Sequence, residues 1–229
     1  MGLTVGSGPF GPKAEGRHNA TADDRFVLVE PFARRVRAVW DGRTVVDSDA
    51  VSMVHAAGSL PRYSFPGGDV TLDGGTEEDP EVPGNVTVAW DAVDAWYEED
   101  ERVFVHPRDP YHRVDSFLTP RCVEVQLGGT PLARSTRARM LCETSLPPRW
   151  YLPRADVTME QLLRSSTVTQ CPYKGAARYW SARRGDHAVD DVVWSYEDEV
   201  RGDGVPVQWL LAFDDLKVEV VVDGVRQGA

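Results

Sequence analysis

Cysteine is scarce and badly placed for cross-linking: the chain has 3 among 229 residues, Cys122, Cys142 and Cys171, with no CxxC pair. An odd, dispersed set argues against both a disulfide framework and a structural zinc site. Long apolar runs are missing too, since no stretch approaches the ~20 residues that cross a bilayer. The first 24 residues are Gly-rich and polar and lack the charged-then-apolar pattern of a signal peptide. Positive charge is in deficit, with 25 Lys and Arg against 36 Asp and Glu for a net −11. A nucleic-acid backbone or an anionic membrane is therefore repelled on average. Arg183-Arg184 beside Arg178 form a local basic run. A cytoplasmic protein with no nucleic-acid and no membrane partner is expected. A Gly-rich phosphate loop, a GxSxG elbow and an HExxH pair are all absent. Helical periodicity is poor; the best stretch is Thr158-Met-Glu-Gln-Leu-Leu-Arg164, with Asp156 or Thr158 as the cap.

What the chain does contain is strand and turn signal. Val36–Trp40, Asp41-Gly42 and Thr44–Ser48 read as strand, tight turn, strand, because Asp-Gly supplies the positive φ of a two-residue hairpin. Cys122–Ser135 reads the same way around Gly128-Gly129, and Leu216–Val222 alternates as a half-buried strand ending at Asp223-Gly224. These stretches superpose. Residues 36–70 match 123–157 without a gap at an offset of 87, sharing Gly42/Gly129, Ser48/Ser135, Met53/Met140, Pro61-Arg62/Pro148-Arg149 and Asp69-Val70/Asp156-Val157. Beyond them, Ala89–Ala95 resembles Ala212–Val218 at an offset of 123, leaving 123 − 87 = 36 residues without a counterpart in the first copy. The fold expected is mainly β, in two tandem domains of which the first is truncated, with one or two short helices. Residues 1–25 read as an extended N-terminal arm, 26–112 as the degenerate first repeat and 113–229 as the complete second. Residues 71–85, TLDGGTEEDPEVPGN, read as a short acidic loop replacing the missing piece.

That piece falls within 158–211 and concentrates polar-tipped aromatics, including Tyr173, Tyr179, Trp180, Trp194 and Tyr196. Together with Trp150 and Tyr151 they suit a pocket for a flat or ring-shaped ligand. The competing reading for each aromatic is core filling. In Cys171-Pro-Tyr-Lys-Gly175, Pro172 and Gly175 favour a turn presenting Cys171, Tyr173 and Lys174. Cys171 is a candidate nucleophile, and Lys174 a candidate acid, base or imine-forming amine, against inert and solvated alternatives. Arg149 recurs as Arg62 and reads as a brace; Glu143, which faces Ala56 in the alignment, joins the second-copy-only set. The joining stretch carries His106, Asp109, His112 and Asp115, whose spacing is not that of a helical metal site.

Ser135, Glu143, the Pro148–Pro153 run, Asp156-Val157, Cys171-Pro-Tyr-Lys-Gly175, Tyr179-Trp180, Trp194-Ser-Tyr196 and Val222-Asp223-Gly224 closely resemble the DUF427 family. Gly8-Pro-Phe-Gly11, Trp96–Asp100 and His106–Asp115 look like its tandem, mainly actinobacterial members. The resemblance implies a β-tent (Mss4-like) fold, similar to methionine sulfoxide reductase B and the ligand-binding domain of cereblon. The four-cysteine zinc site of such relatives cannot be assembled here, so no metal and no cofactor is expected. The family has no settled function. The nucleotidyltransferase label sometimes attached to it finds no acidic metal pair beside a Gly-Ser turn in this chain.

Three functions therefore compete. The first is a small-molecule site against Glu143, Arg149, Trp150, Tyr173, Lys174, Tyr179, Trp180, Trp194 and Tyr196, its leading wall being Trp150, Tyr179, Trp180 and Trp194. The second is an enzyme using the same pocket through Cys171 or Lys174. The third is a scaffold in which the repeats form an internal pseudo-dimer.

Overall fold

The computed structural model describes residues 2–8, 10–13, 26–185 and 187–227. Among these the chain is mainly β, with short 3-10 turns between strands, and it divides into two compact units. One is Met1–Arg113 with Thr144–Leu146; the other is Val114–Glu143 with Pro147–Ala229.

The first unit holds β1 (Val27–Pro31), β2 (Val36–Trp40), β3 (Arg43–Ser48), β4 (Ser52–Ala56), β5 (Arg62–Pro66), β6 (Thr76–Glu78), β7 (Asn85–Val88), β8 (Ala95–Glu98) and β9 (Glu101–Val103). They form a five-stranded sheet, β1-β4-β5-β7-β6, and a four-stranded sheet, β3-β2-β8-β9. The second unit holds β10 (Val114–Leu118), β11 (Val123–Leu127), β12 (Thr130–Ser135), β13 (Arg139–Glu143), β14 (Arg149–Leu152) and β15 (Leu162–Cys171). It continues with β16 (Gly175–Arg184), β17 (His187–Val200), β18 (Leu211–Phe213), β19 (Glu219–Val222) and β20 (Val225–Gln227). Its sheets run β10-β13-β14-β18-β17-β16-β15 and β12-β11-β19-β20.

The two strand orders coincide once β15 and β16 are removed. The pairing registers agree as well: Val29↔Val54 in β1–β4 lies 87 residues before Ser116↔Leu141 in β10–β13. Val36↔Glu98 in β2–β8 answers Val123↔Val222 in β11–β19, an offset of 222 − 98 = 124 on the second strand. The late offset is thus 222 − 98 = 124 at β8 and β19, rather than 123, while Phe65↔Val86 against Leu152↔Leu211 makes it 211 − 86 = 125 at β7 and β18.

Local chemistry explains the hairpins. Asp41 and Gly42 sit at φ 48° and 70°, and Gly128 and Gly129 at 54° and 83°, the left-handed pair that matches the right-handed twist of the flanking strands. The Ser and Asp shared by both units also have a common task. Ser48 Oγ donates to Asp69 Oδ2 at 2.6 Å and Ser135 Oγ to Asp156 Oδ2 at 2.7 Å, tying each 3-10 turn to its hairpin. Within the second unit β11 alternates buried and outward residues, so Val123, Val125 and Leu127 share one face. With Val220 and Val222 they pack on Trp150, Leu152, Trp180, Val193, Leu211 and Phe213 of the large sheet. Burying each such side chain contributes about 1.5–3 kcal/mol.

Three local expectations are corrected. The stretch 158–164 is not a helix: Met159–Gln161 is one 3-10 turn, and Leu162 already begins β15. The Ser-Ser-Thr-Val-Thr run that follows carries polar and β-branched residues that favour an extended chain over helix. Residues 71–85 are not only a loop, because Thr76–Glu78 pairs with Asn85–Val88 as a short hairpin. At the N-terminus the expected arm is instead a set of turns in residues 2–8 and 10–13, joined by Gly8 N–H to Val5 O, Phe10 N–H to Leu3 O and Lys13 N–H to Gly6 O. Thr4 is buried there, its hydroxyl donating to Ser59 O at 3.0 Å. The remainder of the expected arm, 14–25, lies outside the described residues.

Candidate functional site

Directly paired residues on antiparallel strands share a face of the sheet. Tyr151 pairs with Ala212, Ala212 with Trp194, Trp194 with Tyr179, and Tyr196 with Ala177. These side chains therefore line one face of the large sheet of the second unit. Leu141, opposite Arg149, lies on it too, and Glu143 follows two residues on from Leu141. Cys171, opposite Gly175 at the end of β15, packs beside them. The neighbouring residues Trp150, Leu152, Trp180 and Val193 point the other way, into the core between the sheets.

At one end of this face the Cys171–Gly175 turn delivers a lysine into the protein. Lys174 and Glu143 form a buried ion pair, with side chains 8% and 5% exposed. The ammonium also lies 5.7 Å from the Tyr196 ring centroid, within cation–π range. Backbone fixes the turn. Gly175 has φ 103°, and a Cβ there would stand 2.0 Å from the Glu199 carbonyl oxygen. At Gly204 a Cβ would stand 2.4 Å from the Lys174 carbonyl oxygen, which accepts a hydrogen bond from Arg201 N–H at 3.1 Å. Only residues without a side chain allow these approaches.

The wall of the face is phenolic and indolic. Tyr151 is fully buried and its hydroxyl accepts a hydrogen bond from Trp194 Nε1 at 3.2 Å. Burial raises the pKa of the Tyr151 and Tyr196 phenols well above the ordinary value, with the Glu143 carboxylate adding to the rise in both. Both are consequently neutral hydroxyls at any physiological pH. The Tyr196 hydroxyl has no hydrogen-bond partner among the described residues. Tyr179 and Trp194 are half-buried, with ring centroids 6.5 Å apart, and the Tyr179 hydroxyl meets Thr169 Oγ1 at 3.0 Å. Arg149 pairs with Asp215 and lies 5.8 Å from the Trp194 centroid.

The structure thus brings Glu143, Lys174, Tyr196, Trp194, Tyr179 and Arg149 to one face, with Tyr173 buried in the turn at its end. It does not bring Trp150 or Trp180 there, so the expected wall of Trp150, Tyr179, Trp180 and Trp194 is divided between two faces. Trp150 lines a cleft between the sheets with Val123, Leu152, Phe213 and Val220, where the free volume of ≈ 10 Å³ admits about one water. Tyr151, counted among the pocket aromatics but not among the candidate site residues, also lies on this face. Its position beside Trp150 was visible, but alternation alone cannot say which of two adjacent aromatics faces which way.

The first unit supplies a comparison within the molecule. At the offset of 87, Glu143 is replaced by Ala56 and Tyr151 by Ser64, while Arg149 is matched by Arg62, which pairs with Asp79 at 2.7 Å. Each arginine thus pairs with an aspartate, but Asp79 precedes β7 whereas Asp215 follows β18. The buried Glu–Lys pair and the phenols are present in one alone.

His106 and His112 belong to the first unit; His106 Nδ1 donates to Pro107 O at 2.6 Å, and burial lowers its pKa. Among the described residues no group of three or more His, Cys, Asp or Glu side chains is placed to hold a metal ion. Among them, too, no helix is long and apolar enough to cross a membrane.

No curated protein matches the chain. Residues 117–224 match the model of a family described as Domain of unknown function (DUF427), a span that includes Glu143, the Cys171–Gly175 turn and all of β14 to β18. The second unit of this protein therefore contains a DUF427 domain.

Proposed function

We propose that the second unit binds a small molecule on the Tyr151–Trp194–Tyr196 face of its large sheet, with the Lys174–Glu143 pair as the polar anchor. The observation that carries this reading is the buried ion pair. Removing two charges from water costs several kcal/mol per ion, so such pairs are weak contributors to stability. The equivalent sheet of the first unit forms with Ala56 and Ser64 in place of Glu143 and Tyr151. The fold does not require the charges, and a ligand offers a reason to keep them. Tyr196 contributes a free donor hydroxyl, and Tyr179 and Trp194 contribute flat, half-exposed rings suited to an aromatic or heteroaromatic ligand. We further read the two units as copies of one ancestral β-tent-like domain, a reading supported by their common strand order and register.

The test is native mass spectrometry of the full chain, followed by a thermal-shift screen of aromatic carboxylates and amides. A bound small molecule, or a stabilising compound whose effect vanishes in Lys174→Met/Glu143→Leu, is the expected result. Binding that survives this double substitution unchanged would sink the proposal.

An enzymatic reading of the same face rests on Cys171, which is half-buried beside Tyr151 and Tyr196. Selective alkylation of Cys171 over Cys122 and Cys142 under mild conditions is its requirement; a Cys171 no faster than the other two removes it.

A further inference from the structure

The opposite face of the same sheet carries a second cluster that the proposed pocket does not use. Glu197 lies on β17 with its side chain only 4% exposed, and its two oxygens are taken by two different arginines. Arg154 Nη2 donates to Oε1 at 2.6 Å and Arg164 Nη2 to Oε2 at 3.2 Å. Both guanidiniums also lie over the Trp180 ring, at 5.2 and 5.6 Å from its centroid. Each arginine is thus held at one edge by a buried carboxylate and along its plane by an indole. Their side chains nevertheless remain 43% and 59% exposed.

A guanidinium has five N–H donors, and one from each arginine is spent on Glu197. The remaining donors project outward from two planar groups whose separation is set by a single carboxylate. A third cation adds to them. Arg178 lies two residues before Trp180 on the same face, paired in register with Ser195 and Val168, and has no ion-pair partner among the described residues. Ser195 is fully buried on that face, and its hydroxyl has no hydrogen-bond partner among the described residues. Two cations share one carboxylate here and a third lies on the same face of the sheet, in a chain whose net charge is −11.

The sheet does not need this arrangement in order to form. Arg164, Arg178 and Trp180 lie on β15 and β16, which have no counterpart strands in the first unit, and the position equivalent to Arg154 is Gly67. Forked, pre-oriented donors with a local excess of positive charge match a tetrahedral oxyanion in shape and sign.

We propose that Arg154, Arg164 and Arg178 form an oxyanion-binding site for a phosphate group, free or carried on a small molecule, with Glu197 and Trp180 as positioning residues. The experiment is isothermal titration of the full-length protein with inorganic phosphate, with pyrophosphate and with citrate, at constant ionic strength set by chloride. Saturable phosphate or pyrophosphate binding is expected, with citrate weaker. Arg178→Gln removes a side chain that has no ion-pair partner among the described residues and should weaken binding about tenfold. Arg164→Lys keeps the charge but loses the fork, and should weaken binding by a similar factor. The double variant Arg154→Gln/Arg164→Gln should abolish binding; circular dichroism decides whether it folds, and the two single variants carry the test if it does not. Absence of saturable binding in the unaltered protein overturns the proposal. So does a preference for citrate, or phosphate affinity unchanged in both Arg178→Gln and Arg164→Lys.

Discussion

Replacing Lys174 with Met removes the ammonium from the Glu143 carboxylate, which is 5% exposed and acts on the Tyr151 and Tyr196 phenols. A surface pair would lose only ~0–1 kcal/mol on such a change. Burial of both partners places this one in the other regime, where breaking a pair costs about 3–5 kcal/mol because an uncompensated charge stays behind. Glu143→Leu should cost a similar amount by stranding the ammonium. The double variant Lys174→Met/Glu143→Leu leaves no stranded charge, and its stability should return to within about 1–2 kcal/mol of the starting protein. Urea denaturation followed by tryptophan fluorescence reads this directly. With a slope of about 2 kcal/mol/M, each single variant should move the midpoint down by roughly 1.5–2.5 M, and the double by less than about 1 M. The recovered double variant is also the protein in which ligand binding should be lost. Single variants costing under about 1 kcal/mol would show that the pair is effectively solvated. A double variant as unstable as the sum of the singles would show that the loss comes from packing rather than charge. Either outcome removes the physical basis for treating the pair as retained for function.

Further outcomes follow from particular contacts. Gly175→Ala should destabilise the second unit by at least about 2 kcal/mol, because its φ of 103° is strained for any side chain and the new Cβ meets the Glu199 carbonyl. Gly129→Ala, at φ 83° with no atom within 4 Å of the new Cβ, should cost only ~1–2 kcal/mol in the same denaturation assay. Tyr151 and Tyr196 have folded-state pKa values raised by burial, so their stabilising contribution is complete below the unfolded phenol value of about 10 and is lost as pH rises beyond it. Ultraviolet titration should find them silent until alkaline unfolding; normal ionisation of every tyrosine in the folded protein would contradict their burial. Tyr151→Phe removes the acceptor of the Trp194 indole N–H and should cost about 1 kcal/mol, measurable by thermal melting.

Much of the architecture was legible in the chain because turns and repeats are local properties. Asp41-Gly42 and Gly128-Gly129 mark their hairpins through backbone stereochemistry, which tertiary context hardly alters. The offset of 87 between Ser48 and Ser135, and between Asp69 and Asp156, is written in the residues themselves. The stretch 158–164 was not legible, since Met159, Leu162 and Leu163 have helix-like spacing. Pairing with β16 makes Leu162 and Leu163 strand residues.

The sequence by itself determined the hairpins and the 87-residue correspondence between 36–70 and 123–157. Tertiary structure decided which side of the large sheet each aromatic occupies. Trp150 and Tyr151 are adjacent, so alternation sends them to opposite faces, and only packing against β11 and β19 makes Trp150 the inner one. It also brought Lys174 to Glu143, 31 residues away, and put Arg154 and Arg164 on a shared Glu197. Contacts between strands distant in sequence are set by register and by the order of strands in the sheet, and no spacing along a single chain encodes them.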